Sequence, residues 1–311
     1  MSEWTGGERE VLRAAVQAAP SVHNTQPWVL EFHDAHRVSL FERPDRALPR
    51  HDPHGRDRLA SCGAALENLL LAMRALGWAP DVALLADPDH PDEVARVVSA
   101  GRRAPSDVEL SRYAAIPARR SHRRPFADSE VGPTVRDSLA AASDVLGVEV
   151  RLVRAERDLP VLARLFEHMA LVLKGDRAYQ RELSAWTATG PHPAPGEGVA
   201  DVAGRVATLP WAGLVRRSTA IPDQVTLAAR LGRECLLIVE TPDDGPRDHL
   251  RAGMAMQATW LAATTTGLVG SVLTQPLQVQ EVRAGLIEGL ELAGFPQALM
   301  RFGHAIKEEP S

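Results

Sequence analysis

The chain is poor in cysteine and in aromatic residues. Two cysteines, Cys62 and Cys235, stand in 311 residues. Their spacing matches neither a disulfide framework nor a C-x-x-C redox or zinc pattern. They read as small buried hydrophobes, which predicts a reducing cytoplasm as the natural location. No apolar run approaches the length of about 20 residues needed to span a bilayer, so no membrane insertion is expected. The opening MSEWTGGERE lacks a basic start leading into an apolar stretch, so no secretory leader is expected. His51, His54 and His90 sit in aspartate-rich stretches without an H-E-x-x-H or equivalent pattern, and no metal is expected. Excess positive charge is missing too. The net charge of −5 gives no reason to expect nucleic acid as a partner. It still permits a local arginine cluster to hold an anion.

What is present is an ordinary core-forming composition, 45% hydrophobic and 24% charged, long enough for one large or two smaller domains. Helical spacing predicts a helix over 8–19, ended by Pro20. Two short strands follow over 28–32 and 37–41. Leu66, Leu69, Leu70, Met73 and Leu76 predict a second helix over 61–78, with Gly77 as its left-handed stop, and then a strand over 82–85.

This helix has a faint second copy. AGMAMQATWLAATTTGL at 252–268 aligns with CGAALENLLLAMRALGW at 62–78. Gly63 meets Gly253, Glu67 meets Gln257, Leu71 meets Leu261, Ala72 meets Ala262, and Gly77 meets Gly267. Strands are expected on either side of the copy, over 235–240 and 270–274. Chance likeness between two amphipathic helices explains the same match. If the repeat is real, two copies mean a fused pair of halves rather than a solenoid. A polar stretch over 99–117 marks the expected boundary, giving halves of 1–110 and 111–311. The Pro- and Gly-dense segment 187–210 reads as an irregular loop, either a lid or a disordered stretch.

Two segments carry chemistry. PSVHNTQPW, at 20–28, places Ser21, Asn24 and Gln26 between a helix and a strand. Amides that both donate and accept suit the edge of a planar heterocycle. Taken alone, the loop also reads as a structural turn in which Asn24 bonds its own backbone. ARRSHRRPF, at 118–126, crowds four arginines, a serine and a histidine into 119–124. Guanidinium groups grip phosphate oxygens in pairs, so a phosphate monoester is the natural ligand. A solvated basic loop is the bland alternative. A helix over 134–142 follows, with Pro133 in its first turn.

Together these motifs resemble the nitroreductase superfamily. Its members carry R-x-S-x-R early and a PS-x-x-N-x-QPW flavin loop soon after, and form homodimers with two interface FMN sites. Here the order is reversed. Pro20, Ser21, Asn24, Gln26, Pro27 and Trp28 come first, and Arg119, Ser121 and Arg123 come second. After the arginines, SDVLGVEVRLV supplies neither Asn nor Gln. One loop and one arginine motif make one composite site. The arrangement is similar to the Acg-like, dormancy-associated branch, with further matches in DPHGRDRLASCGAALENL at 52–69, TQP at 274–276 and FPQALMRFGHA at 295–305.

The resemblance implies an α+β, nitroreductase-like fold: two fused halves forming an intrachain pseudo-dimer, a monomer with one FMN. It implies that Arg119, Ser121 and Arg123 hold the phosphate. Pro20, Ser21, Asn24 and Gln26 would meet the ring edge, and Thr274 and Gln275 would lie near N5 and O2. It implies an FMN-dependent oxidoreductase taking hydride from NADH or NADPH and reducing nitro compounds, quinones or similar acceptors. A flavin-sequestering protein with 187–210 as lid is the alternative. The sequence departs from the family at Pro125, which lengthens the arginine loop, at the long Pro/Gly segment, and at IKEEPS, where many relatives continue into a basic tail.

Overall fold

The computed structural model describes residues 4–34, 36–186 and 214–306. Its strands are β1 (Trp28–Phe32), β2 (Arg37–Glu42), β3 (Trp78–Leu84), β4 (Glu93–Arg102), β5 (Glu149–Leu152), β6 (Cys235–Thr241), β7 (Val269–Leu273) and β8 (Phe295–Gly303). Its helices are α1 (Gly6–Gln17), α2 (Arg56–Ala75), α3 (Asp107–Ala115), α4 (Pro133–Ala140), α5 (Ala155–Gly175), α6 (Arg177–Ala185), α7 (Gln224–Leu231), α8 (Pro246–Thr265), α9 (Gln275–Gln278) and α10 (Gln280–Gly289). The fold is α+β. Among the described residues, no helix is long and apolar enough to cross a membrane.

The strands form two four-stranded sheets, ordered β1-β2-β4-β3 and β5-β6-β8-β7, with every named pairing antiparallel. Shifting each number of the first sheet by four reproduces the second. A long helix joins the second and third strands of each, α2 in one and α8 in the other. Each central strand pair carries one irregularity of register, at Leu40/Phe41 and at Val239/Glu240. Both long helices end before a glycine at φ +78°, Gly77 and Gly267, which satisfies the last carbonyls at no steric cost. The faint sequence repeat is therefore also a repeat of topology.

The layers run sheet, α2, α8, sheet, and the two helices meet at the repeated glycines. A Cβ on Gly63 would overlap the carbonyl oxygen of Leu250, and a Cβ on Gly253 would overlap that of Ala60. Each helix thus needs a missing side chain on the other. Beside the crossing, the Gln257 amide donates to Asn68 Oδ1 (2.7 Å), and the Asn68 amide donates to the Ala15 carbonyl (2.8 Å). Asn68 and Gln257 are fully buried, so these bonds lock α1, α2 and α8 into one register.

The two halves differ in cover. In the first sheet, β1 alternates buried and exposed residues, as one covered face requires. In the second, β6 is buried at every position. Leu236 and Ile238 point into a core with α5, α7 and α10, while Leu237 and Val239 join Trp260 and Met256 of α8. The added layer is helical, and α5, α6 and α7 supply most of it.

Several boundaries moved from the sequence reading. The second helix begins at Arg56 rather than 61, because Gly55 at φ +70° turns the chain directly into it. The stretch 99–117, expected as a polar junction, contains the end of β4 and all of α3, started by a reciprocal Ser106–Glu109 cap. The segment 187–210, expected as a loop or lid, lies outside the described residues.

We expect Gly253→Ala or Gly63→Ala to lower unfolding free energy by at least about 1–3 kcal/mol, as overpacking does, read by urea denaturation. Glu67, the counterpart of Gln257, offers a second test. Burial first, and Asp144 second, lift its carboxyl to about 7, against the pull of Arg112 and Arg74. A raised carboxyl pKa stabilises the fold below its unfolded value and loses that stabilisation as pH rises through 7. Glu67→Gln should therefore flatten the fall in stability between pH 5 and 8, and an unchanged pH slope would contradict this.

Candidate functional site

The flavin-like loop is built under backbone constraint. Ser21 opens a single 3-10 turn over Val22–Asn24, and its hydroxyl accepts from the Gln26 N–H (3.0 Å). His23, Asn24 and Gln26 all adopt positive φ, at 50°, 55° and 48°. Left-handed conformations in three non-glycine residues of four are costly, and such strain persists where the surroundings enforce it. The loop is clamped at its far end by the Pro27 carbonyl, which accepts from the Arg43 N–H (3.0 Å).

The arginine loop is stitched to β7 and β8. Ser121 bridges Gly270, the His122 N–H donates to the Gly270 carbonyl (2.7 Å), and the Ala127 N–H donates to the His304 carbonyl (2.8 Å). Under this loop lies Arg301, wholly buried. It makes paired bonds to Glu234 (2.7 and 2.5 Å), donates to the His122 carbonyl (3.4 Å), and stacks its guanidinium over Phe126 (4.2 Å).

These loops bound a cleft of about 650 Å³. Pro20, Ser21, Val22 and His23 form one wall, and Asp57, Ala60 and Ser61 of α2 another. Met256 and Trp260 of α8, Ser271 and Val272 of β7, and Thr274 and Gln275 close it from the second half, with Ser121, Arg123 and Leu214.

Six of the sequence-predicted residues meet here: Pro20, Ser21, Ser121, Arg123, Thr274 and Gln275. Asn24, Gln26 and Arg119 do not line the cleft. Gln26 instead braces the loop through its backbone bond to Ser21. Arg119 packs its guanidinium over Trp260 (4.6 Å) and donates to the Ala18 carbonyl (3.4 Å), tying the second half to the end of the first helix. Its Nε and Nη1 are buried without a hydrogen-bond partner.

The electrostatics favour an anion. Among the described residues, no carboxylate pairs with Arg119 or Arg123. Burial brings Arg119 down to about 10, with Arg120 and Arg123 adding repulsion, and burial lowers Arg123 as well. A buried cation without a counter-charge is costly and is relieved by a bound anion. His23 is pushed well below its usual range by burial, then by His51 and Arg123, so it stays neutral. Its ring meets His51 edge-on (4.0 Å), and His51 stacks on Tyr179 (4.4 Å). His23 Nε2, Asp57 Oδ2 and Ser271 Oγ are buried without hydrogen-bond partners. The cleft thus holds unmatched polar atoms for a ligand with both polar edges and an anionic group.

Sequence reasoning missed Asp57, Ser61, His23, Met256 and Trp260. His23 lay inside the singled-out loop. Asp57 and Ser61 lay inside 52–69, which carries the family match but no chemical pattern. Met256 and Trp260 lay in the repeated helix, where they read as core.

No protein-family model matches the chain. Full-length relatives do. A Mycobacterium tuberculosis protein named "Putative NAD(P)H nitroreductase Rv3131" is 32% identical over 308 residues, covering 96% of this chain and 85% of that protein. The Acg protein of the same organism, whose name carries the same assignment, is 30% identical over 321 residues, covering 97% and 91%. The chain belongs to the nitroreductase superfamily, in its Acg-like branch. Among solved structures, an FMN-bound nitroreductase from Bacteroides fragilis aligns at TM-score 0.39 and 15% identity, over 66% of this chain and 95% of that one. The NADPH complex of an FMN-dependent nitroreductase from Mycobacterium smegmatis aligns at 0.38 and 17%, over 64% and 89%. Family membership rests on the sequence relatives rather than on these alignments.

Arg301→Met should lower stability by roughly 3–5 kcal/mol, because it breaks a buried, doubly hydrogen-bonded ion pair with Glu234. Denaturation of the purified variant checks this, and a loss below about 1 kcal/mol would show that the pair is dispensable.

Proposed function

We propose that this chain binds one FMN in the two-halved cleft and uses it as an NAD(P)H-dependent oxidoreductase. Nitro compounds, quinones or similar two-electron acceptors are the substrate class. The observation that carries the reading is the pair Arg119 and Arg123. Arg123 is half-buried and lines the cleft, Arg119 is buried against Trp260, and among the described residues neither has a carboxylate partner, while Pro20 to His23 of the strained first-half loop form the facing wall. In this reading Arg123 and Ser121 hold the phosphate from within the cleft. Arg119 adds charge from behind Trp260 and fixes that ring in place. Ser21 and the loop backbone, shaped by Asn24 and Gln26, offer polar contacts to the ring edge, and Thr274 and Gln275 do so from the other side. When bound, FMN supplies the redox chemistry, carrying two electrons from nicotinamide to acceptor. The protein supplies position, charge and exclusion of water.

The one-site reading follows from the repeat. The alignment that pairs Gly63 with Gly253 sets Asp57, Ala60 and Ser61 against Arg247, Leu250 and Arg251. It sets Met256 and Trp260 against Leu66 and Leu70. On that opposite side, the counterpart of Gln257 is Glu67, whose carboxyl is lifted to about 7 by burial and feels Arg112, Asp144 and Arg74. We therefore read the chain as an intrachain pseudo-dimer with halves 1–110 and 111–311, acting as a monomer. The two buried, unpaired cysteines fit a reducing compartment, and cytoplasmic location follows in this reading.

The purified protein should be yellow or take up added FMN with one flavin per chain. Anaerobic NADPH or NADH should bleach its absorbance. A protein that takes up no FMN would remove the reading, and bound flavin that neither donor bleaches would leave a binding protein rather than a reductase. Arg119→Ala together with Arg123→Ala should weaken FMN binding by about 100-fold or more, since charge-assisted bonds contribute roughly 1.5–3 kcal/mol each. Fluorescence titration of free flavin reads the change.

A further inference from the structure

Among the described residues that line the cleft, Asp57 alone carries a carboxyl group. It stands in the first turn of α2 and is 4% exposed. Oδ1 accepts from the Gln278 amide (3.0 Å), and Oδ2 is buried without a hydrogen-bond partner. Every element around it contributes a facing group. Asp52, from the preceding loop, sets a second carboxyl nearby. Thr274 and Gln278 face it from the segment after β7. Arg56, its neighbour on α2, lies within ion-pair distance of Asp244 (3.4 Å). The Ser61 hydroxyl donates to the backbone carbonyl of Asp57 rather than to its side chain (2.6 Å).

Burial, and then repulsion from Asp52, lift this carboxyl well above the usual carboxylate range, against the pull of Thr274, Gln278 and Arg56. A buried carboxyl kept in its acid form is an O–H donor at neutral pH. The other polar residues of the cleft are poor sources of a proton. Arg123 does not release one at working pH, the serine and threonine hydroxyls are too weakly acidic, and His23 is already neutral.

We propose that Asp57 is a catalytic proton donor of the cleft, giving its carboxyl proton to an oxygen of the acceptor during two-electron reduction. This rests on the proposed oxidoreductase reading. For a quinone the step balances simply. NAD(P)H would be oxidised to NAD(P)⁺, and bound FMN would supply the two-electron chemistry that delivers a hydride equivalent to the quinone. The Asp57 O–H bond breaks and an O–H bond forms on the quinone oxygen. Quinone, hydride and proton together make hydroquinone. Asp57 is left as carboxylate and regains a proton from water as product leaves.

The test compares two oxidants of the reduced, FMN-loaded protein by stopped flow. A benzoquinone needs a proton, and ferricyanide takes electrons without one. Asp57→Asn keeps the size of the side chain and should keep FMN occupancy. It should slow quinone-driven reoxidation roughly 100-fold, as loss of a general acid does, and leave the ferricyanide rate within about two-fold. An infrared band of a protonated carboxyl should be present in the wild type at pH 7 and missing in the variant. Equal slowing with both oxidants, an unchanged quinone rate or an unchanged infrared spectrum overturns the proposal. If Asp57→Asn does not fold, the wild type decides. Its quinone rate should fall with rising pH and show a solvent deuterium effect, while its ferricyanide rate does neither. Equal behaviour with both oxidants overturns the donor. Wild-type protein that takes up no FMN overturns the reading of the site itself, and that outcome is seen before any oxidant is added.

Discussion

The close crossing of α2 and α8 at Gly63 and Gly253 is the constraint on which the rest depends. Each glycine leaves room for a backbone carbonyl of the other helix, so the two halves approach more closely than any side chain permits. The buried Asn68–Gln257 bond then removes freedom to slide. With that crossing set, Asp57, Ala60 and Ser61 of one helix face Met256 and Trp260 of the other across a single cleft. A shifted crossing would separate these walls.

The site itself is a balance of strain and unpaired charge. The 20–26 loop holds three non-glycine residues in left-handed conformation, and among the described residues the arginines opposite stand without carboxylates. Neither feature stabilises the protein alone. Both are carried by a well-satisfied frame: Arg301 bonded to Glu234 beneath the arginine loop, and the β7 edge that takes Ser121 and His122. Stability is concentrated in the frame, and the ligand-facing atoms are left unmatched.

The proposed fused pair also accounts for the asymmetry. The two sheets share one strand order, yet only the second is buried on both faces by added helices. The two sides of the central helix pair have diverged in the same way. One keeps a cleft with unmatched polar groups. The other places leucines at the matching positions and a Glu67 carboxyl lifted by burial. A single asymmetric site is what a fused pair can evolve and an identical homodimer cannot, because symmetry would copy every change to both sides.

Much of this was legible in the chain. The helical period, the two glycine stops, the repeat and the two motifs depend on local spacing, and local spacing is what sequence records. Pro20, Ser21, Ser121, Arg123, Thr274 and Gln275 were named from motifs and share one cleft. The strand β4, the helices α5, α6, α7 and α10, and the start of α2 were not legible, because their boundaries depend on what packs over them. Asp57 could not have been singled out either. In sequence it is one of two aspartates in DPHGRDR, indistinguishable from any helix-starting residue beside arginines. Only tertiary structure brings Asp52, Thr274 and Gln278 around it and strips away its water. The sequence by itself determined which side-chain chemistry was available and where along the chain it lies. The tertiary structure decided which groups lose solvent and partners together, because burial and charge pairing belong to the assembled surfaces rather than to any segment of the chain.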